Sequence, residues 1–169
     1  MRRKTTIKHT PDALESTRKP LKDKGRVILP RKVKHPSKST VKKRAWDAFS
    51  KFIRTRDCLR TTGCADWGLC ITCGKRYHIK LLQAGHFIPG RHNANLFSEK
   101  GCHAQCYNCN INLRGNTLEY RRKIIEMYGD GYDEVLETEN REIKKYSMED
   151  LQDIAEQYKN KYQELLKKT

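Results

Sequence analysis

The sequence has no apolar run approaching the ~20 residues that a helix needs to span a bilayer, so a helical membrane protein is excluded. Its opening, MRRKTTIKHTPDALESTRK, is basic but lacks the apolar stretch of a secretion signal, and a protein of the cell interior is expected. Hydrophobic residues make up only 36% of the chain against 33% charged, too few for all 169 residues to close around one core. One modest domain with an extension is the expectation. Internal repeats are absent.

Two other scarcities are local. Residues 1–44 hold 16 Lys/Arg but only three acidic residues, Asp12, Glu15 and Asp23, so +13 of the net +16 sits there. Residues 45–169 hold 20 Lys/Arg against 17 acids, a net of +3. Proline is nearly confined to the same end: Pro11, Pro20, Pro30 and Pro36 are four of the five. Residues 1–40 show no helical periodicity, and RVILP at 26–30 is their only apolar cluster. They are expected to form a flexible basic arm. Such a segment implies a polyanionic partner, nucleic acid first, with a merely solubilising tail as the alternative.

Beyond the arm, Ala45, Trp46, Phe49, Phe52 and Ile53 recur at helical spacing and predict a helix over 41–56. Residues 57–116 read as loop-rich, with short strands at most near 69–72 and 81–88. Asn116, with Glu119 three residues on, predicts a capped helix over TLEYRRKIIEMY that ends at Gly129 and Gly131. A last helix is predicted after Ser147, with Asp150 completing a capping box and Tyr146 stapled to Leu151. Its stripe of Leu151, Ile154, Ala155, Tyr158, Tyr162 and Leu165 packs on the domain or pairs with a second copy. The expected divisions are 1–40, a core at 41–120 and a C-terminal helical region at 121–169.

Seven cysteines in an unexported chain argue for metal rather than disulfides, and the number is odd. Cys70 and Cys73 form one CxxC pair, Cys106 and Cys109 another. A two-residue spacer presents two sulfurs to one ion, and two pairs complete the tetrahedron that zinc prefers. Four thiolates leave a formal −2, so the site is closed to water and structural. It is expected to replace part of a core that the few large apolar residues nearby cannot supply. Cys58 and Cys64 read as alternative ligands or plain small residues, and Cys102 as a small residue.

Between the pairs, CITCGK (70–75), AGHFIPGRHNA (84–94), HAQCYNCN (103–110) and RGN (114–116) resemble the HNH nuclease module. They are closer still to the NinG (Rap) family of phage recombination proteins, as is the tail YSMEDLQDIAEQY (146–158). The resemblance spans about residues 45–165. It implies an α+β fold, a small zinc-stabilised ββα-metal core flanked by helices. It also implies a metal-dependent endonuclease for branched DNA, such as four-way junctions and D-loops, or DNA containing single strands. His86 falls at the general-base position, where a near-neutral pKa suits proton acceptance. Asn110 falls where the module places a helix-borne ligand for Mg²⁺ or another divalent cation, although asparagine is also a common helix cap. His103 reads as a second ligand, a phosphate contact, or a zinc ligand displacing a cysteine.

Gly85 stands where the module often has an acidic or histidine ligand, and Gly101 where its central asparagine would fall. The first ligand of the catalytic metal is therefore not legible; Asn93 and Asn95 are candidates to orient His86. Arg91, Arg114 and Arg121 read as phosphate contacts, with Arg122 and Lys123 on a solvated helix face. Phe87 and Tyr107 read as core aromatics. A homodimer, phage recombination proteins as partners and the cytoplasm of a bacterial host are expected from the same resemblance. The alternative is a non-catalytic zinc module that binds nucleic acid, or an adaptor of the recombination machinery.

Overall fold

The computed structural model describes residues 35–90 and 93–167, with the backbone of residues 22–23 and 26–27. The expected flexibility of the arm falls outside the described residues. The chain divides into two units, residues 1–35 and 36–169. In the first, Lys22–Asp23 (β1) pairs antiparallel with Arg26–Val27 (β2). The second carries everything that follows and is mixed α+β.

Helix α1, Lys38–Thr62, is longer than the apolar pattern indicated because local signals extend it at both ends. The Ser37 hydroxyl accepts the Thr40 N–H at 3.3 Å. At the other end Gly63, with φ 69°, turns left-handed and returns its N–H to the Leu59 carbonyl. One face of α1 buries Val41, Ala45, Phe49, Phe52 and Ile53. Helix α4, Met148–Lys167, lies along that face. Phe49 and Tyr158 meet edge-on at 4.8 Å, and Leu151 packs with Val41 and Ala45. The apolar stripe of α4 thus packs on the domain, the first of its two expected uses. Its start is as predicted: Ser147 and Asp150 exchange hydrogen bonds of 2.7 and 3.0 Å, and Tyr146 joins Leu151 in the core.

Two antiparallel strand pairs lie beyond α1. Trp67–Leu69 (β3) pairs with Arg76–His78 (β4), and Leu82–His86 (β5) pairs with Cys102–Cys106 (β6). The β5–β6 register places Gly85 opposite His103 and Gln83 opposite Gln105. Strand alternation sends Leu82, Ala84, Cys102, Ala104 and Cys106 to one face, where they meet Phe49, Phe52 and Cys58 of α1. His103 and Gln105 go to the other face and are also fully buried. At Gly68 a side chain would strike the Cys58 sulfur at 2.6 Å, so glycine is what lets β3 approach α1.

After β6 the chain makes a π-helical turn, Asn108–Asn112, and then enters α2, Thr117–Tyr128. Asn116 does not cap α2 as expected. Its backbone is left-handed, with φ 46°, and its side chain makes no capping bond; Glu119 pairs instead with Arg122. Gly129 ends α2 by donating to the Ile125 carbonyl. A helix not anticipated, α3 at Tyr132–Asn140, follows. Phe87, Tyr120, Ile124 and Leu136 form the core that joins α2 and α3 to the end of β5. Among the described residues no helix is long and apolar enough to cross a membrane.

Candidate metal centre and the cleft beside it

The tight link between β3 and β4 presents Cys70 and Cys73. Gly74, with φ 67°, makes that reversal possible, returning its N–H to the Cys70 carbonyl while Cys70 donates to Lys75. Cys106 ends β6, and Cys109 follows in the π-helical turn. All four sulfurs lie within 4.8 Å of one another, and those of Cys73 and Cys106 are 3.9 Å apart. A tetrahedron with bonds of ~2.3 Å has edges of about 3.8 Å, so the spacing is that of ligands around one ion.

Electrostatics point the same way. Burial pushes the Cys73 thiol up to about 12 and also raises Cys109. Burial acts likewise on Cys70, but the N–H groups of Cys73 and Cys106 and the Thr72 hydroxyl outweigh it and bring that thiol down to about 7. Hydrogen-bond donors thus favour the thiolate at Cys70, while burial disfavours it at Cys73 and Cys109, where a nearby cation would offset that cost. These four cysteines could hold a metal ion such as zinc. Cys58 and Cys102 are buried among apolar neighbours, and neither they nor Cys64 belong to the cluster.

Beside this centre is a cleft of about 240 Å³ lined by His86, Pro89, Gly90, Asn110, Ile111 and Arg114. The turn after β6 that supplies Cys109 to the cluster also positions Asn110. His86 closes β5; its ring stacks on Trp46 of α1 with centroids 5.3 Å apart. Its Nε2 lies 3.2 Å from the Leu96 carbonyl. A carbonyl only accepts, so Nε2 carries the hydrogen and Nδ1 is the basic nitrogen of the neutral ring. The buried Tyr120 hydroxyl donates to the Gly85 carbonyl at 2.8 Å and fixes the strand end next to that ring. Asn110 is interior to its turn and does not cap a helix; its Nδ2 donates to Gln83 Oε1 at 2.7 Å. Arg114 is exposed at the cleft, held there by a left-handed backbone with φ 49°, and has no ion-pair partner among the described residues.

Other expected site residues are elsewhere. His103 does not line the cleft. It is fully buried, with Nε2 3.1 Å from the Lys100 carbonyl and Nδ1 3.0 Å from Arg56. Its neighbours make it a structural histidine in place of the expected ligand or phosphate contact. Arg121 pairs with Asp133 and Glu137 of α3, which neutralises the charge a phosphate would need. Arg91 lies outside the described residues. Asn93 bonds to Lys42 and the Lys144 carbonyl, and Asn95 to the Ile88 carbonyl. Phe87 is a core residue, whereas Tyr107 is 57% exposed.

Sequence reading missed Gln105, which is fully buried on β6 and donates to the Gly115 carbonyl at 2.7 Å and to Thr72 at 3.2 Å. The available signal was a carboxamide set between Ala104 and a cysteine of the cluster, where an apolar strand residue would be ordinary.

Residues 1–168 match the family model described as the bacteriophage lambda NinG protein. The NinG protein of Escherichia phage 933W is 31% identical over 125 residues, covering 73% of this chain and 57% of that protein. The NinG protein of Salmonella phage P22 is 30% identical over 124 residues, covering 73% and 56%. The chain thus spans little more than half the length of these curated relatives. No solved structure matches. With the family model matched over almost its whole length, the chain belongs to the NinG family of phage proteins.

Proposed function

We propose that this protein is a metal-dependent endonuclease that cuts branched DNA during phage recombination, in the cytoplasm of the bacterial host. Its scaffold is an HNH-like ββα unit: β5, β6 and the helical turn after them, stiffened by zinc on the four cysteines. One observation supports this above the rest. His86 at the end of β5, and Asn110 and Arg114 from the turn after β6, line one cleft next to the cysteine cluster.

In this reading His86 Nδ1 takes a proton from the attacking water, with Nε2 anchored on Leu96. Arg114 grips a phosphate oxygen. A divalent cation such as Mg²⁺ beside Asn110 supplies charge stabilisation at the scissile phosphate. The basic arm adds affinity for phosphates without reading sequence. Symmetric cutting of a four-way junction requires two such sites, so the active species is a homodimer formed through a face other than the α4 stripe, with phage recombination proteins as further partners.

The test uses the zinc-loaded chain, a labelled four-way junction and Mg²⁺. Cleavage is expected, and His86→Ala should slow it ~10²–10⁴-fold, the usual share of a general base. A second reading has its own observation: Gly85 brings no metal-binding side chain to the strand end. If the junction is bound but never cut, the protein is a zinc-stiffened DNA-binding module and the nuclease proposal fails.

A further inference from the structure

The two faces of the β3–β4 hairpin are unlike. Register sets Trp67 against His78 and Leu69 against Arg76, so these four side chains share one face. The opposite face is used inside the fold: Gly68 packs on Cys58 of α1, and Tyr77 joins the cysteine cluster. On the first face Trp67 is 41% exposed, although a ring of that size is normally spent in a core or an interface. It meets His78 edge-on with centroids 5.4 Å apart, and the Arg76 guanidinium lies over it, 5.2 Å from the ring centroid. The Lys80 N–H donates to His78 Nδ1 at 3.2 Å, so the neutral His78 ring carries its hydrogen on Nε2.

Charge around this surface has nearly one sign. Between Asp57 and Glu99 the only acidic residue is Asp66, just before β3. Lys75 precedes β4, Arg76 begins it, and Lys80 lies in the short turn after it. All three are exposed, and none has an ion-pair partner among the described residues. A second copy docking the same face on itself would set these like charges together, and an apolar partner would desolvate them unpaired. A ligand that carries flat rings and negative charge side by side meets both features. Duplex DNA hides its base faces in the stack, whereas an unpaired strand offers base faces and phosphates at once.

We propose that this face of the β3–β4 hairpin binds single-stranded DNA, with Trp67 and Arg76 stacking on an unpaired base and Lys75 and Lys80 holding the neighbouring phosphates. The choice of DNA rests on the nuclease reading above; the stacking surface has no part in the chemistry assigned to His86. It supplies what a cleft that grips phosphate alone lacks, a means of favouring DNA whose bases are unpaired.

The test is binding of the zinc-loaded full chain to an oligothymidylate and to a duplex of equal length, read by anisotropy of the labelled DNA and by tryptophan fluorescence. Stacking should quench Trp67 in the wild type, and Trp67→Phe, in which Trp46 is the remaining tryptophan, should lose most of that quench while still binding. Trp67→Ala should weaken the single strand at least about tenfold, the usual worth of a stacked base, and leave the duplex and the salt dependence unchanged. Lys80→Gln should instead lower the slope of log affinity against log salt by about 0.7, one phosphate contact on a single strand. A quench in Trp67→Phe as large as in the wild type would overturn the proposal, and so would equal losses of single strand and duplex in Trp67→Ala. Tighter binding of a single-stranded RNA of the same length would overturn the assignment to DNA. Should Trp67→Ala lose its zinc or its cooperative melt, the Trp67→Phe result decides. A junction that is never cut, with single strands bound as described, sinks only the nuclease reading; cleavage with Trp67 untouched by DNA sinks only this one.

Discussion

Asp57 is 2% exposed and charged, which costs several kcal/mol unless the charge is well met. It is met on both oxygens. Oδ1 takes the Arg56 Nε–H at 2.9 Å, and Oδ2 accepts the Ala104 backbone N–H at 2.7 Å, fastening α1 to the middle of β6. Burial by itself would raise this carboxyl, but His103 and the Arg56 charge outweigh it and hold it well below the usual carboxylate range. His103 is shifted down as well, by burial first. Asp57→Ala should cost about 3–5 kcal/mol, since it strands Arg56 and an N–H of the central strand, and denaturant unfolding at pH 7 checks it. Both groups have folded pKa values below their unfolded ones. Each contributes stability that is complete above its unfolded pKa and is lost as pH falls toward the folded value. The His103 share goes first, below about pH 6.5, and the Asp57 share below about pH 4. Stability measured from pH 7 to 5 should therefore decline, and His103→Gln should flatten that slope; an unchanged slope would mean His103 is charged in the fold. This network also explains why His103 misleads in the sequence. A histidine three residues before a CxxC reads as chemistry, and only its long-range partners, Asp57 and Arg56, reveal a buried joint.

Helix α4 was legible because its signals are local: Ser147 and Asp150 lie three residues apart, and the stripe follows with a helical period. Ser147→Ala should cost about 0.5–2 kcal/mol through the lost cap. Leu151→Ala, on a fully buried side chain, should cost about 2–5 kcal/mol, so a thermal melt should rank the second well below the first. The two CxxC pairs were legible for the same reason, and the motifs also singled out His86 and Asn110, which line one cleft. Elements whose logic is non-local were not. Strand β6 reads CHAQC, in which His103 and Gln105 interrupt the apolar pattern, because they satisfy buried partners from α1, the Thr72 turn and Gly115 instead of facing solvent. Helix α3 offers little apolar periodicity, and it is held through Leu136 and the Arg121 ion pairs to α2. The Asn116 cap failed because asparagine serves equally well in the left-handed turn that the chain needs there.

At the scale of the whole molecule, the question is whether the described unit can stand without an ion. All of its buried apolar residues except Leu96 fall into four clusters, and the one around the cysteines is built of Cys58, Cys70, Cys106 and Cys109 with Leu82 and Ala104. That cluster holds no aromatic side chain among its buried members, so thiols fill the place of larger apolar groups. Structural zinc contributes ~10–16 kcal/mol of apparent binding energy near neutral pH. Domains of this size have only ~5–15 kcal/mol of net stability in total. The comparison decides the outcome: if zinc occupies the four sulfurs, its removal leaves little or nothing to hold the fold. Chelation at pH 7 should release one zinc per chain together with cooperative loss of near-ultraviolet dichroism, and Cys106→Ser should purify zinc-poor and unfolded. Because the ligands are thiolates, protons compete with the metal, and zinc affinity should fall as pH drops. Cys58→Ser, outside the sulfur cluster, should keep full zinc and lose stability only through its buried packing. A chelated chain that retains its cooperative melt would show that the apolar clusters suffice, and the cysteines would then need another explanation.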